Sequence, residues 1–203
     1  GIDGAGIDTN AQKTVELLRE LGYKASKFAY PKDHSPIGKF IRAFLKGKFD
    51  LNPFQQFALY LADIQEDQKK IEKLLSAGVH IVCARYATST IAYQSAAGMD
   101  MGKAISIVKE AGILEPDLVI FLRVSPETGT SRKRAQKGKL DRFESAGRFL
   151  ERVNEFFEEL RRSGKFGKEW AVIDAERSVD EVFEDVRKRL EELVGLKAFK
   201  GGE

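Results

Sequence analysis

A single cysteine, Cys83, stands in 203 residues. No internal disulfide can therefore brace the chain, and cysteine poverty of this kind suits a reducing, cytoplasmic setting. No apolar run approaches the roughly 20 residues that a membrane-spanning helix needs, and no signal-peptide pattern is read. Charge of one sign is lacking too. Thirty-four Lys and Arg against 31 Asp and Glu leave +3, too little for an electrostatic grip on nucleic acid. The only histidines are His34 and His80, and with one cysteine they give no zinc spacing, so no metal site is expected from protein side chains alone. His80 lies in an apolar run and reads as a core residue; His34 lies in a polar loop and reads as solvated. Asp33-His34-Ser35 is too local for a hydrolytic triad, whose members converge from separate elements. Hydrophobic residues at 42% and charged residues at 32% predict one soluble globular domain.

The richest stretch is Gly1-Ile2-Asp3-Gly4-Ala5-Gly6-Ile7-Asp8-Thr9. A phosphate-binding loop reads G-x-x-x-x-G-K-[ST] before a helix. Gly1 and Gly6 hold the two glycine positions, Gly4 adds a third glycine, and their amides predict an anion nest at a helix N-terminus. Ile7 stands where the lysine belongs and Asp8 where the metal-binding hydroxyl belongs; Thr9 comes one place too late. Taken alone, so broken a motif reads as a glycine-rich turn, and its nucleotide-binding residues would be Gly1, Gly4, Gly6, Ile7, Asp8 and Thr9.

Periodicity places the loop in an α/β chain. Ala11, Val15, Leu18 and Leu21 recur at helical spacing up to Gly22. Residues 23–30 read as a strand ended by Pro31. Pro36 opens a short helix, and Pro53 a long one to about Ala77. Residues 79–84 form a short apolar run typical of a buried parallel strand. A helical stretch from Ser89 to Gly112 is interrupted near Gly98. A strand over 117–124 is followed by a helix from Pro126 that passes into a basic loop over 132–139. A helix over 145–162, a strand over 170–174 and a closing helix over 178–193 complete the chain. Strands alternating with helices predict a parallel sheet covered on both faces.

Several stretches together resemble the thymidylate kinase family: the Gly1–Thr9 loop, Ala84-Arg85-Tyr86 with Ser89 to Gln94, Pro116-Asp117-Leu118, and Leu140-Asp141-Arg142-Phe143-Glu144 after a basic run. Phe28-Ala29-Tyr30-Pro31 with Ser35-Pro36-Ile37-Gly38 resembles the segment at the acceptor phosphate. The resemblance covers nearly the whole chain. It implies a P-loop kinase fold with a helical lid over about 132–142, transfer of the γ-phosphoryl of ATP to dTMP with magnesium, and a homodimer formed by helices flanking the strand at Val79. It also implies that Asp3 meets the acceptor sugar and Arg85 its phosphate. Gln94 would face the base, with Phe57 and Tyr60 beside it, and Arg132, Arg134, Lys137, Lys139 and Arg142 would supply lid charge.

Five positions depart from the family. Besides Ile7 and Asp8, Ala29 and Ile64 stand where the family has arginines, and Ala84 where it has an acid. Their convergence predicts a rebuilt apolar pocket with phosphoryl transfer largely lost and weak binding of ATP and magnesium. Two further readings stand beside a residual kinase. One is an engineered site with Asp8 as general base on a flat, non-natural aromatic ligand, and the other is a non-catalytic ligand binder. The family also has an apolar first strand before the glycine loop, which does not stand before Gly1; missing upstream residues or another segment filling its place are both open.

Overall fold

The structure, a computed structural model, describes residues 1–137, 141–143 and 147–194. Its elements run α1 (Ile7–Glu20), β1 (Ala25–Ala29), α2 (Pro36–Leu45), α3 (Pro53–Gln65), α4 (Gln68–Ser76), β2 (His80–Ala84), α5 (Ala87–Ala96), α6 (Met101–Glu110), β3 (Leu118–Arg123), α7 (Pro126–Lys137), α8 (Gly147–Ser163), β4 (Glu169–Asp174) and α9 (Val179–Val194). The alternation of strand and helix is the one expected, and every strand pairing is parallel.

The strands hydrogen-bond as two pairs, β1 with β2 and β3 with β4. Between the facing edges of β2 and β3 runs a groove of about 520 Å³, lined by residues 80–83 and 118–122 and bordered by Gly1. No described strand occupies that position, and among the described residues no other segment fills the place of the family's first strand. Gly1 presses on β3: a Cβ there would fall 2.1 Å from the Leu122 carbonyl oxygen.

Three sequence expectations change. The long helix from Pro53 is two helices, because the chain turns at Glu66 and Asp67, where the Asp67 amide bonds the Ile64 carbonyl in a tighter turn. The helix expected from Ser89 already begins at Ala87. Residues 132–137 belong to α7 rather than to a loop. The first helix ends as predicted, with Gly22 at φ 85° beyond it, a conformation a side chain would strain.

Helix α1 packs on β1, β2 and α9, while α5 packs on α3, α6 and α8. Every residue of α5 except Ser89 is buried. One core gathers Ile2, Phe121, Leu122, Leu150, Val153, Phe157 and the buried face of α9; Phe121 and Phe157 stack with ring centroids 4.9 Å apart. A second holds Phe28, Phe57, Leu61, Ile64, Ile71, Ile91 and Ile105. Full burial of one such side chain contributes roughly 1.5–3 kcal/mol. Helix α5 serves both cores, with Ala87 and Ile91 in the second and Ala92, Tyr93 and Ala96 in the first.

Candidate active site

Gly6 N-caps α1 with φ 80° and ψ 23°, and Gly4 has φ 83°. Both are left-handed conformations that glycine adopts without a steric penalty. No side chain caps α1, so the amides of its first turn are free to meet an anion, and the helix dipole favours one there. The Asn10 side-chain amide donates to the Gly6 carbonyl at 3.0 Å and fixes the turn. A hollow of about 310 Å³ opens here, lined by loop residues 2–10, by Arg85, by Arg132, Lys133 and Gln136 of α7, and by Arg177 and Ser178.

The acceptor side is organised by one ion pair. Arg85, just past β2, lies in the left-handed region at φ 62°. For a residue with a Cβ this costs about 1–2 kcal/mol. The turn aims the guanidinium back at the loop, where Nη2 donates to Asp3 Oδ1 at 2.8 Å with both side chains largely buried. The Tyr93 hydroxyl reaches Asp3 Oδ2 at 3.4 Å, and the Arg85 guanidinium lies 5.9 Å from the Tyr93 ring centroid. Burial works against the Arg85 charge, but Asp3, then Tyr93 and Asp8, hold it protonated above the usual guanidinium range. Burial, reinforced by Asp3, pushes the Tyr93 phenol up. Tyr60 is also raised, by burial first; Arg85 opposes the shift, and Asp141 and Asp3 add to it. Asp3, Tyr60, Arg85 and Tyr93 thus form one electrostatic group. Gln94, 1% exposed, lies next to it on α5 with its side-chain oxygen unpaired among the described residues.

Other expected residues lie elsewhere. Gly1 lines the groove between β2 and β3 and is not part of the loop hollow. Phe57 and Ile64, each 1% exposed, are packed into the second core. Ala29 is exposed at the end of β1, beside an outer hollow lined by Arg19, Lys27, Lys32 and Lys70. Ala84 is buried opposite it at the end of β2. Ile7 and Thr9 line the loop hollow. The rebuilt apolar pocket is therefore corrected, because the changed positions are divided between core, surface and loop. Asp8 is corrected with them: its side chain is 73% exposed and lies 3.9 Å from the Lys27 ammonium, so no dry environment surrounds it.

The lid residues fare unequally. The Arg132 guanidinium is taken up by backbone carbonyls. Arg134 is exposed on α7. Arg142 donates to Asp50 at 2.6 Å and to the Phe49 carbonyl at 3.0 Å, and covers the Phe44 ring at 4.6 Å. Its charge is thus committed to the end of α2 and the loop after it. Lys139 and the side chain of Lys137 lie outside the described residues. The sequence reading passed over Asp63. It is fully buried and accepts from the Lys32 amide at 2.9 Å and the Ser35 hydroxyl at 3.0 Å, while Ser35 itself caps α2. An acid between Leu61 and Ile64, both on an apolar helix face, was the available signal. His34 is exposed, and the His80 ring meets Tyr23 edge-on at 5.2 Å. Burial pushes the Cys83 thiol up to about 12, with a smaller push from Asp67, so it is no ready nucleophile. Among the described residues no group of three His, Cys, Asp or Glu could hold a metal ion, and no helix is long and apolar enough to cross a membrane.

A glycine-capped helix beside parallel strands, with an arginine at a strand's carboxyl end turned toward it, defines an α/β protein of the P-loop kinase class. The sequence model of thymidylate kinases matches residues 1–186. A probable thymidylate kinase of Archaeoglobus fulgidus is 38% identical over 97% of this chain and 95% of its own length. The thymidylate kinase of Homo sapiens is 32% identical over 96% and 88%, and a probable thymidylate kinase of Caldivirga maquilingensis 34% over 95% and 91%. The chain belongs to the thymidylate kinase family, whose members carry out ATP-dependent phosphoryl transfer to dTMP.

Proposed function

We propose that this chain binds ATP at the glycine loop and transfers its γ-phosphoryl group to dTMP, more slowly than a loop carrying lysine would allow. The observation that supports this reading is the Asp3–Arg85 pair, 2.8 Å apart, set against the uncapped start of α1. A phosphate nest and an oriented cation thus face one hollow. Phosphoryl transfer asks a protein for positioning and charge stabilisation more than for covalent chemistry. The first-turn amides of α1 hold phosphate oxygens. Arg85 carries charge between donor and acceptor while Asp3 fixes its direction, and Gln94 and Tyr60 border the acceptor base. Magnesium accompanies ATP in the family, and the Asp8 carboxylate at the hollow is an oxygen donor of the hard class that suits it.

Ile7 places no charge at the β- and γ-phosphates. Loss of one preorganised charge contact costs about 10²–10³ in rate. In an ADP-release assay with dTMP, the expected turnover is lower than the ordinary kinase range of about 1–100 s⁻¹ by that factor, and Ile7→Lys raises it. Turnover within that range for the parent would refute the impairment. ADP release at the background rate in both proteins would refute the kinase reading itself. No feature of the site favours Asp8 as a base toward an aromatic ligand. The same reading includes a cytoplasmic homodimer through the helices flanking the strand at Val79: Leu75, 44% exposed on α4 just before β2, is apolar surface that a second copy would cover. A monomer mass by light scattering at micromolar concentration counts against the dimer alone.

A further inference from the structure

Arg132, expected to place charge on the transferred phosphoryl group, spends that charge on the backbone. Its Nη1 donates to the carbonyls of Gly4 at 3.3 Å and Ala175 at 2.7 Å. Its Nη2 donates to those of Glu176 and Arg177, both at 3.0 Å. The two terminal nitrogens carry four N–H groups between them, and four carbonyls receive them. These carbonyls come from two segments more than 170 positions apart in the chain, the glycine loop and the turn after β4, and Arg132 itself belongs to a third, α7.

Independent contacts tie the same three segments. Gly4 and Gly129 meet backbone to backbone: a Cβ on Gly4 would fall 2.3 Å from the Gly129 carbonyl oxygen, and one on Gly129 2.5 Å from that of Asp3. The Glu176 carboxylate accepts from the Ser125 amide at 2.6 Å, just before α7. The loop, α7 and the turn are three walls of the 310 Å³ hollow. Its width is set where they join, and the Arg132 guanidinium, carried on α7, bonds the other two.

We propose that Arg132 is a positioning residue for the nucleotide: by fixing the glycine loop, α7 and the 175–177 turn to one another, it sets the spacing that admits the donor's phosphates and nucleoside. This rests on the kinase reading for the identity of the ligand, but not for the clamp. The planar fork is essential. Lysine keeps the charge but offers three donors at one point, and it cannot serve four carbonyls spread along a plane.

The experiment compares the parent with Arg132→Lys and Arg132→Ala in two measurements. Hydrogen exchange on the nucleotide-free protein is expected to speed up at least about tenfold in residues 1–8 and 174–178 of both variants, and to stay unchanged in β1 and β2. Calorimetry is expected to show Mg·ATP affinity at least about tenfold weaker in both, with dTMP affinity within about twofold of the parent. Unchanged exchange in the loop and turn overturns the clamp. Retention of full ATP affinity in Arg132→Lys overturns the positioning role, leaving charge alone as the residue's contribution. Loss of dTMP and ATP affinity together, with faster exchange throughout the chain, also overturns it, since the residue would then be a general stabiliser. Failure of the parent to bind ATP refutes the kinase reading, and the exchange measurement still decides the clamp.

Discussion

At the scale of single residues, the site shows that a side chain's chemistry counts only after its bonds are assigned. Arg85, Arg132 and Arg142 carry the same guanidinium to three different ends. Arg85 is paired yet faces the loop hollow, Arg132 is consumed by carbonyls, and Arg142 is tied to Asp50. Asp63 is fully buried and holds two hydrogen bonds at the start of α2. Asp63→Ala leaves the Lys32 amide and the Ser35 hydroxyl without their buried acceptor, an expected loss of about 1–3 kcal/mol in denaturant unfolding. Because Ser35 caps α2, the variant also loosens the Pro31–Ser35 loop, which exchange measurements on that segment register. A loss under about 0.5 kcal/mol would mean that solvent replaces the carboxylate.

At the scale of elements, the start of α7 is where loop and helix meet most closely. Gly129→Ala puts a methyl 2.5 Å from the Asp3 carbonyl oxygen. Since that neighbour is backbone, overpacking is expected to cost about 1–3 kcal/mol and to weaken Mg·ATP binding along with stability. A thermal scan with calorimetry checks both, and an unshifted melting temperature would show that α7 can back away. Glu176 supplies a pH dependence at the same place. Hydrogen bonds from Thr128 and then from Ser125 hold its carboxyl below the ordinary 4.5. A carboxyl whose pKa is lowered on folding contributes stability that is fully present above 4.5 and is lost as pH falls through the folded-state value. The melting-temperature gap between the parent and Glu176→Gln should therefore be wide at about pH 7 and close toward about pH 3. A gap independent of pH would assign the effect to the neutral hydrogen bonds.

At the scale of the whole molecule, two parallel strand pairs and the two larger apolar cores have to act together. The groove between β2 and β3 separates the pairs, but α5 contributes to both cores and packs on α8, and Trp170 of β4 packs against both. Trp170 fluorescence and the labelling of Cys83 on β2 report opposite sides of the groove. Their denaturant transitions are expected to coincide, because neither core can lose α5 alone. Separated midpoints would show that the groove divides the molecule into two folding units.

Much of this was determined locally. Glycine at φ above zero, proline at helix starts and the apolar spacing of the strands are properties of short stretches, so the α/β order, the loop at the head of α1 and the breaks at Gly22 and Gly98 could be read from sequence. The Asp3, Arg85 and Gln94 grouping followed from resemblance, but the direction of Arg85 depends on a left-handed backbone held by a partner 82 positions away. Only the tertiary structure divided the changed positions among core, surface and loop, since Ile64, Ala29 and Ile7 read alike as apolar replacements of charge. It also decided which lid arginines keep a free charge. Carbonyl acceptors belong to every residue and leave no mark on the sequence, so a guanidinium bound to Gly4, Ala175, Glu176 and Arg177 is recognisable only once the chain has brought them together.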